Sequence, residues 1–159
     1  MIHPQYWSLD SVYNRLFPKD TVMNKTDIDA YNTLDVKGKT VLDVGAYNGD
    51  SARLFLKNGA KKVVCIESNP DYAKLINIPN TVVIVEPFKL EHLSMPHDCC
   101  KFDIESWEID LLPVADKLKP TVLESHGWWI TEKFKQKGFR VITEQGYPTG
   151  LGICMMVNY

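Results

Sequence analysis

The run Val41-Leu42-Asp43-Val44-Gly45-Ala46-Tyr47-Asn48-Gly49-Asp50-Ser51, followed by Val63-Val64-Cys65-Ile66-Glu67, constrains this chain more than any other feature. An apolar, β-branched stretch ends in an acid and a glycine turn, and a second apolar stretch ends in another acid. This is the pattern of a βαβ unit that binds a nucleoside. Gly45 and Gly49 allow a sharp turn and a close approach with no Cβ in the way. Glu67 follows Gly45 by 22 positions, near the ~20-residue offset at which a carboxylate reaches ribose hydroxyls. A ligand carrying an adenosine-like ribose is therefore expected.

The turn narrows the choice of nucleoside. A dinucleotide site wants G-x-G-x-x-G, with backbone N–H groups free to hold a pyrophosphate. Here Tyr47 stands where the second glycine would be, and Asp43 and Asp50 bring negative charge to both sides of the turn. A pyrophosphate would be repelled, whereas the ammonium, sulfonium and ribose of S-adenosylmethionine would not. The readings this displaces are a ligand-free strand-turn-helix and a nicotinamide cofactor.

At 159 residues the chain is one domain with room for a proper core. Its 18 basic against 20 acidic residues leave no electrostatic footprint for nucleic acid. The N-terminal Met1-Ile2-His3-Pro4-Gln5-Tyr6-Trp7 lacks the features of a secretion signal, and no run approaches the ~18 apolar residues of a membrane span. Cytoplasmic residence, without membrane or nucleic-acid partners, is the expectation. The cysteines at 65, 99, 100 and 154 lack C-x-x-C spacing and read as reduced thiols. His97-Asp98-Cys99-Cys100 is too compact to form a tetrahedral site by itself, so no metal is expected.

Residues 1–38 read as an N-terminal helical segment and 39–159 as the main domain. Tyr6, Leu9, Val12, Tyr13, Leu16 and Phe17 recur at helical spacing until Pro18. A short helix over Thr26 to Leu34 has Thr26 as its candidate N-cap. From Thr40 onward, strands near 40–45, 62–67, 81–86, 101–105 and 120–125 alternate with helices near 50–58, 70–76, 106–117 and 129–137. Such alternation predicts an α/β fold, Rossmann-like and doubly wound, with a mostly parallel sheet and ligands at the carboxyl ends of its strands. Phe139–Glu144 and Gly152–Val157, joined by the turn-rich Gly146–Gly150, predict an antiparallel C-terminal hairpin and seven strands in all.

The first motif resembles that of class I S-adenosylmethionine-dependent methyltransferases, and its G-A-x-x-G-D form is similar to the FkbM group. Ile66-Glu67-Ser68-Asn69-Pro70 resembles that group's second-strand ending, and Lys101-Phe102-Asp103-Ile104-Glu105-Ser106-Trp107-Glu108 its K-x-D-x-E-G-x-E signature. Leu123-Glu124-Ser125-His126-Gly127 resembles its E-x-H strand ending. The likeness spans roughly residues 38–145. Ser106 replaces the usual glycine, and the segment between the third and fourth strands, at about 14 residues, is shorter than is common in the group. The resemblance implies a methyltransferase, with an oxygen of a small molecule or sugar as acceptor. The competing classes are a nicotinamide-dependent oxidoreductase and a non-catalytic cofactor-binding module.

The cofactor set expected from these readings is Asp43, Gly45, Ala46, Tyr47, Gly49, Asp50, Glu67, Ser68, Asn69, Glu86 and Asp103. Glu67 offers two acceptor oxygens to two ribose hydroxyls at an open strand end. Asp43 sits below the turn, holding loop N–H groups or the ligand's ammonium. Asp103 and Glu105, two apart on one strand face, bring paired carboxylates toward the methionine or the acceptor. His126, with an ordinary pKa of ~6.5, is the candidate base. Asp103, Glu105 and His126 thus form the catalytic set, whereas Glu108, in a first helical turn, is favoured there by the helix dipole with or without a function. Trp128 and Trp129 can wall an acceptor pocket or pack a helix, and with the N-terminal segment they suggest a homodimer.

Overall fold

A computed structural model of the chain describes residues 23–145 and 153–159. The helical pattern from Tyr6 to Phe17 and the Gly146–Gly150 loop lie outside those residues. Seven strands form one sheet: β1 (Thr40–Val44), β2 (Lys62–Ile66), β3 (Thr81–Ile84), β4 (Cys99–Phe102), β5 (Thr121–His126), β6 (Arg140–Gln145) and β7 (Ile153–Val157). Their order is β3-β2-β1-β4-β5-β7-β6. Strands β1 to β5 are parallel, and β7 inserts antiparallel to both β5 and β6. The fold is the expected Rossmann-like α/β sheet with an antiparallel C-terminal hairpin. Because β2 and β4 flank β1, the topological switch point, where a crevice opens beyond the carboxyl ends, lies between β1 and β4.

Alternation along the strands fills both faces. On one, Val41, Val63, Cys65, Cys99 and Val122 meet α1 (Lys25–Tyr31) and α2 (Asp50–Lys57) through Ala30, Tyr31, Ala52 and Phe55, with Leu34 and Val36 beside them. On the other, Leu42, Val44, Val64, Ile66, Cys100, Phe102 and Leu123 meet Leu111 and Ala115 of a 3₁₀ segment (Trp107–Lys117), and Ile130 and Phe134 of a helix over Trp128–Gln136. The described part of the first 38 residues therefore enters the core. Its helix is capped by Asn24, whose side chain accepts from Asp27 N at 2.9 Å, and Thr26 lies inside the first turn instead of capping it.

Several elements differ from expectation. Strand β4 runs over Cys99–Phe102, earlier than 101–105. Cys99 and Cys100 are fully buried and serve as small hydrophobes, while Glu105 (φ 52°) and Ser106 (φ 76°) adopt left-handed conformations that no strand accepts. Asp103 and Glu105 consequently leave the strand on a turn and do not share a strand face. Strand β3 stops at Ile84, which leaves Glu86 in the following loop. Residues 107–117 wind as 3₁₀, not α, and include Pro113, which lacks the N–H an α-helix needs.

Candidate functional site

The turn after β1 is shaped first by the protein itself. Gly45 has φ 74°, and a Cβ there would stand 1.8 Å from the Asp103 carbonyl oxygen, so only glycine lets the end of β1 lie against the exit of β4. Tyr47 takes φ 51° without being glycine, and its ring lies 4.3 Å from that of Tyr72. Glu67, one residue past β2, accepts from Tyr47 N (2.8 Å) through Oε2 and from Asn69 N (2.7 Å) through Oε1. It is only 8% exposed, a correction to the open strand end expected. Each oxygen retains a second lone pair for an incoming hydroxyl. Asn69 also caps the short α3 (Pro70–Ala73) through Asp71 N, whereas Ser68 is exposed.

Below the turn the sequence reading missed a buried lysine. Asp43 is wholly buried; Ser51 Oγ donates to it at 2.6 Å and Lys101 Nζ lies 3.2 Å away. Lys101 is the register neighbour of Asp43 across β1 and β4, donates to the Gly45 carbonyl at 2.7 Å and sits 5.6 Å from the centroid of the Tyr31 ring. Asp43 thus holds a hydroxyl and an ammonium of its own chain. Asp50 likewise pairs with Arg53 at 2.9 Å and accepts from Asn48 Nδ2 at 3.1 Å. The negative charge read at the turn from the sequence is offset in place, so repulsion of a pyrophosphate loses most of its force as an argument. Ala46 is buried, with its N–H on the Ile66 carbonyl. Glu86 is engaged by Lys89 (2.6 Å) and His92 (3.0 Å), whose hydrogen bonds hold its carboxyl below the usual range.

Past β4 and at the end of β5, acids gather about one imidazole. His126 Nδ1–H donates to Glu108 Oε1 at 2.8 Å, and both side chains are buried. The carboxylate oxygens of Glu124, Glu105 and Asp103 lie 3.5, 3.6 and 3.8 Å from His126 Nε2. Glu108 also accepts from Ser106 N (3.2 Å) and Ile104 N (3.4 Å), so it clamps the left-handed turn that carries Glu105. A dipole explanation does not account for that burial. Burial, and then the charge of Asp103, push the Glu124 carboxyl up to about 7. For His126 burial works against the charged form, yet the charge and hydrogen bond of Glu108 outweigh it and hold the imidazole above the usual histidine range.

Asp103, Glu105 and His126 are therefore brought together, and Glu108 and Glu124 join them. Glu124 was legible only as part of the E-x-H ending. Trp107, Trp128 and Trp129 are 44%, 48% and 41% exposed near this end of the sheet, and Trp128 and Trp129 are not buried by helix packing. In the 97–100 segment, Asp98 accepts from Thr40 N (2.8 Å), His97 bonds the Met95 carbonyl (2.7 Å), and both cysteines are buried.

The architecture is the seven-stranded Rossmann-like methyltransferase fold, and solved structures of that class superpose on it. A precorrin-6y C5,15-methyltransferase from Geobacter metallireducens matches with a TM-score of 0.65 at 14% identity over 89% of this chain and 91% of its own. An S-adenosylmethionine-dependent O-methyltransferase from Thermotoga maritima matches at 0.63, with 13% identity over 92% and 69%. Fibrillarin from Aeropyrum pernix, with natively bound S-adenosyl-L-methionine, matches at 0.58, with 10% identity over 82% and 74%. At such identities the likeness is one of fold. No protein-family model matches the sequence, and no curated protein matches it. Among the described residues no helix is long and apolar enough to cross a membrane.

Proposed function

We propose that this chain is an S-adenosylmethionine-dependent methyltransferase of FkbM-like character, acting on an oxygen of a small molecule or sugar in the cytoplasm. The observation that carries the reading is Glu67, whose buried carboxylate is held by Tyr47 N and Asn69 N beside the Gly45–Gly49 turn at the switch point. Both its oxygens keep lone pairs for the two ribose hydroxyls. Tyr47, Ala46, Ser68, Asn69 and Glu86 border the nucleoside, and Asp103 faces the methionine. Asp43 acts from below, keeping the Gly45 carbonyl in place through Lys101.

Three strand steps of ~4.8 Å separate the end of β2 from that of β5, about 14 Å in all, a span suited to an extended nucleoside with an amino-acid tail. The tail then ends among Asp103, Glu105 and His126. Methyl transfer is an in-line displacement in which the charge on sulfur disappears, so alignment is the main task and proton removal the second. The acidic cluster holds the acceptor and takes its proton. The fold of methyltransferases and the FkbM-like spacing of Lys101, Asp103, Glu105 and Glu108 support this assignment.

Calorimetric titration tests it. S-adenosylhomocysteine should bind one to one in the micromolar range, and NAD and NADP should not bind. Tighter binding of NAD than of S-adenosylhomocysteine would replace the methyltransferase with an oxidoreductase.

A further inference from the structure

We propose that Asp103, Glu105 and His126 form a site for one divalent transition-metal ion of the Mn²⁺ or Zn²⁺ kind, with Glu108 positioning the histidine from behind. One ligand atom from each of the three residues lies within 4.8 Å of the other two. Ligands bound at about 2.0–2.3 Å to a shared ion stand roughly 3–4 Å apart. The separations of His126 Nε2 from Glu105 Oε2 (3.6 Å) and Asp103 Oδ1 (3.8 Å) fall in that range and exceed a good hydrogen bond.

The histidine is oriented as a ligand. Glu108 accepts the Nδ1–H hydrogen bond at 2.8 Å, which leaves Nε2 facing the carboxylates and free to exchange its proton for an incoming ion. A carboxylate behind a histidine in this way fixes tautomer and ring plane and raises ligand basicity. Independent of the cluster, Glu108 is wholly buried and its Oε2 has no hydrogen-bond donor among the described residues. An unpaired carboxylate oxygen so deep is costly, and positive charge carried on the far side of its imidazole lowers that cost.

Charge points the same way. Glu124 adds a further oxygen 3.5 Å from Nε2. Lys101 is spent on Asp43 and the Gly45 carbonyl. A dication held among Asp103, Glu105 and Glu124 would be attracted to each of these carboxylates. Mixed carboxylate and imidazole donors suit Mn²⁺ and Zn²⁺ better than Mg²⁺ or Ca²⁺, which prefer oxygen alone. In the acceptor half of the cleft, such an ion would hold a hydroxyl oxygen and lower its pKa.

The test uses the whole chain, stripped with EDTA and free of cofactor, titrated with Mn²⁺ while electron paramagnetic resonance follows the unbound ion. One Mn²⁺ should bind per chain and be displaced by Zn²⁺. Glu105→Gln, on a partly exposed turn that should fold normally, should weaken binding at least tenfold. Glu108→Gln should weaken it roughly 10–100-fold, the usual effect of losing a ligand's supporting carboxylate. Thermal unfolding and S-adenosylhomocysteine binding, measured on the same variants, verify the fold without reference to the metal. Absence of saturable binding up to about 1 mM, the weak end of protein cation sites, would overturn the proposal. Stoichiometric binding left unchanged by Glu105→Gln would overturn it too, by placing the ion elsewhere. Neither result would bear on the cofactor assignment.

Discussion

The two halves of the cleft handle negative charge in opposite ways. At the ends of β1 and β2 every acid has a partner from its own chain: Glu67 has two backbone N–H groups, Asp43 has Lys101 and Ser51, and Asp50 has Arg53. At the ends of β4 and β5, Asp103, Glu105, Glu108 and Glu124 converge, among the described residues, on the imidazole of His126. The first half is set before any ligand arrives, which suits a constant cofactor. The second gathers carboxyl groups about one histidine and drives pKa values from their ordinary range, Glu124 up to about 7 and His126 upward.

The largest effect expected is on stability in the first half. Lys101→Met leaves Asp43 buried without its cation and should cost about 3–5 kcal/mol in urea unfolding. Adding Asp43→Leu in the same chain should recover most of that, because a buried pair replaced by apolar groups is often close to neutral. If the single variant loses nothing, the two halves do not differ as described.

The second half should respond in rate instead. Glu105→Gln or His126→Asn should reduce turnover by ~10²–10⁴ while leaving cofactor affinity nearly intact, since proton removal and acceptor alignment count in the transition state. Equal loss of cofactor affinity in these variants would erase the division into halves. Smaller again is Glu67→Ala, which should weaken S-adenosylhomocysteine by about 1.5–3 kcal/mol. It should also cost about 1–2 kcal/mol of unliganded stability, because the N–H groups of Tyr47 and Asn69 lose their acceptor.

What the sequence disclosed follows the same division. The Gly45–Gly49 turn, Glu67 and the parallel order of strands were legible because they depend on local pattern: apolar alternation, glycine spacing, an acid at a strand end. Lys101 was not, because its partner lies 58 residues away on the neighbouring strand and only the register of β1 with β4 brings them side by side. Glu108 was misread for a related reason. An acid in a first helical turn has a sufficient local explanation, and its bond to His126 exists only once β5 is placed beside the turn. The shift of β4 came from Cys99 and Cys100, which behave as core residues and start the strand early. Asp103, Glu105 and His126 lie together, but the paired strand face expected for the two acids gave way to a left-handed turn.

The measurement that bears most directly on this account is a crystal structure with S-adenosylhomocysteine bound. The ribose hydroxyls should lie on the Glu67 carboxylate, the amino-acid tail should cross the Gly45 turn toward Asp103, and the sulfur should face Glu105 and His126. A nucleoside seated away from Glu67, or a sulfur turned away from both Glu105 and His126, would contradict it.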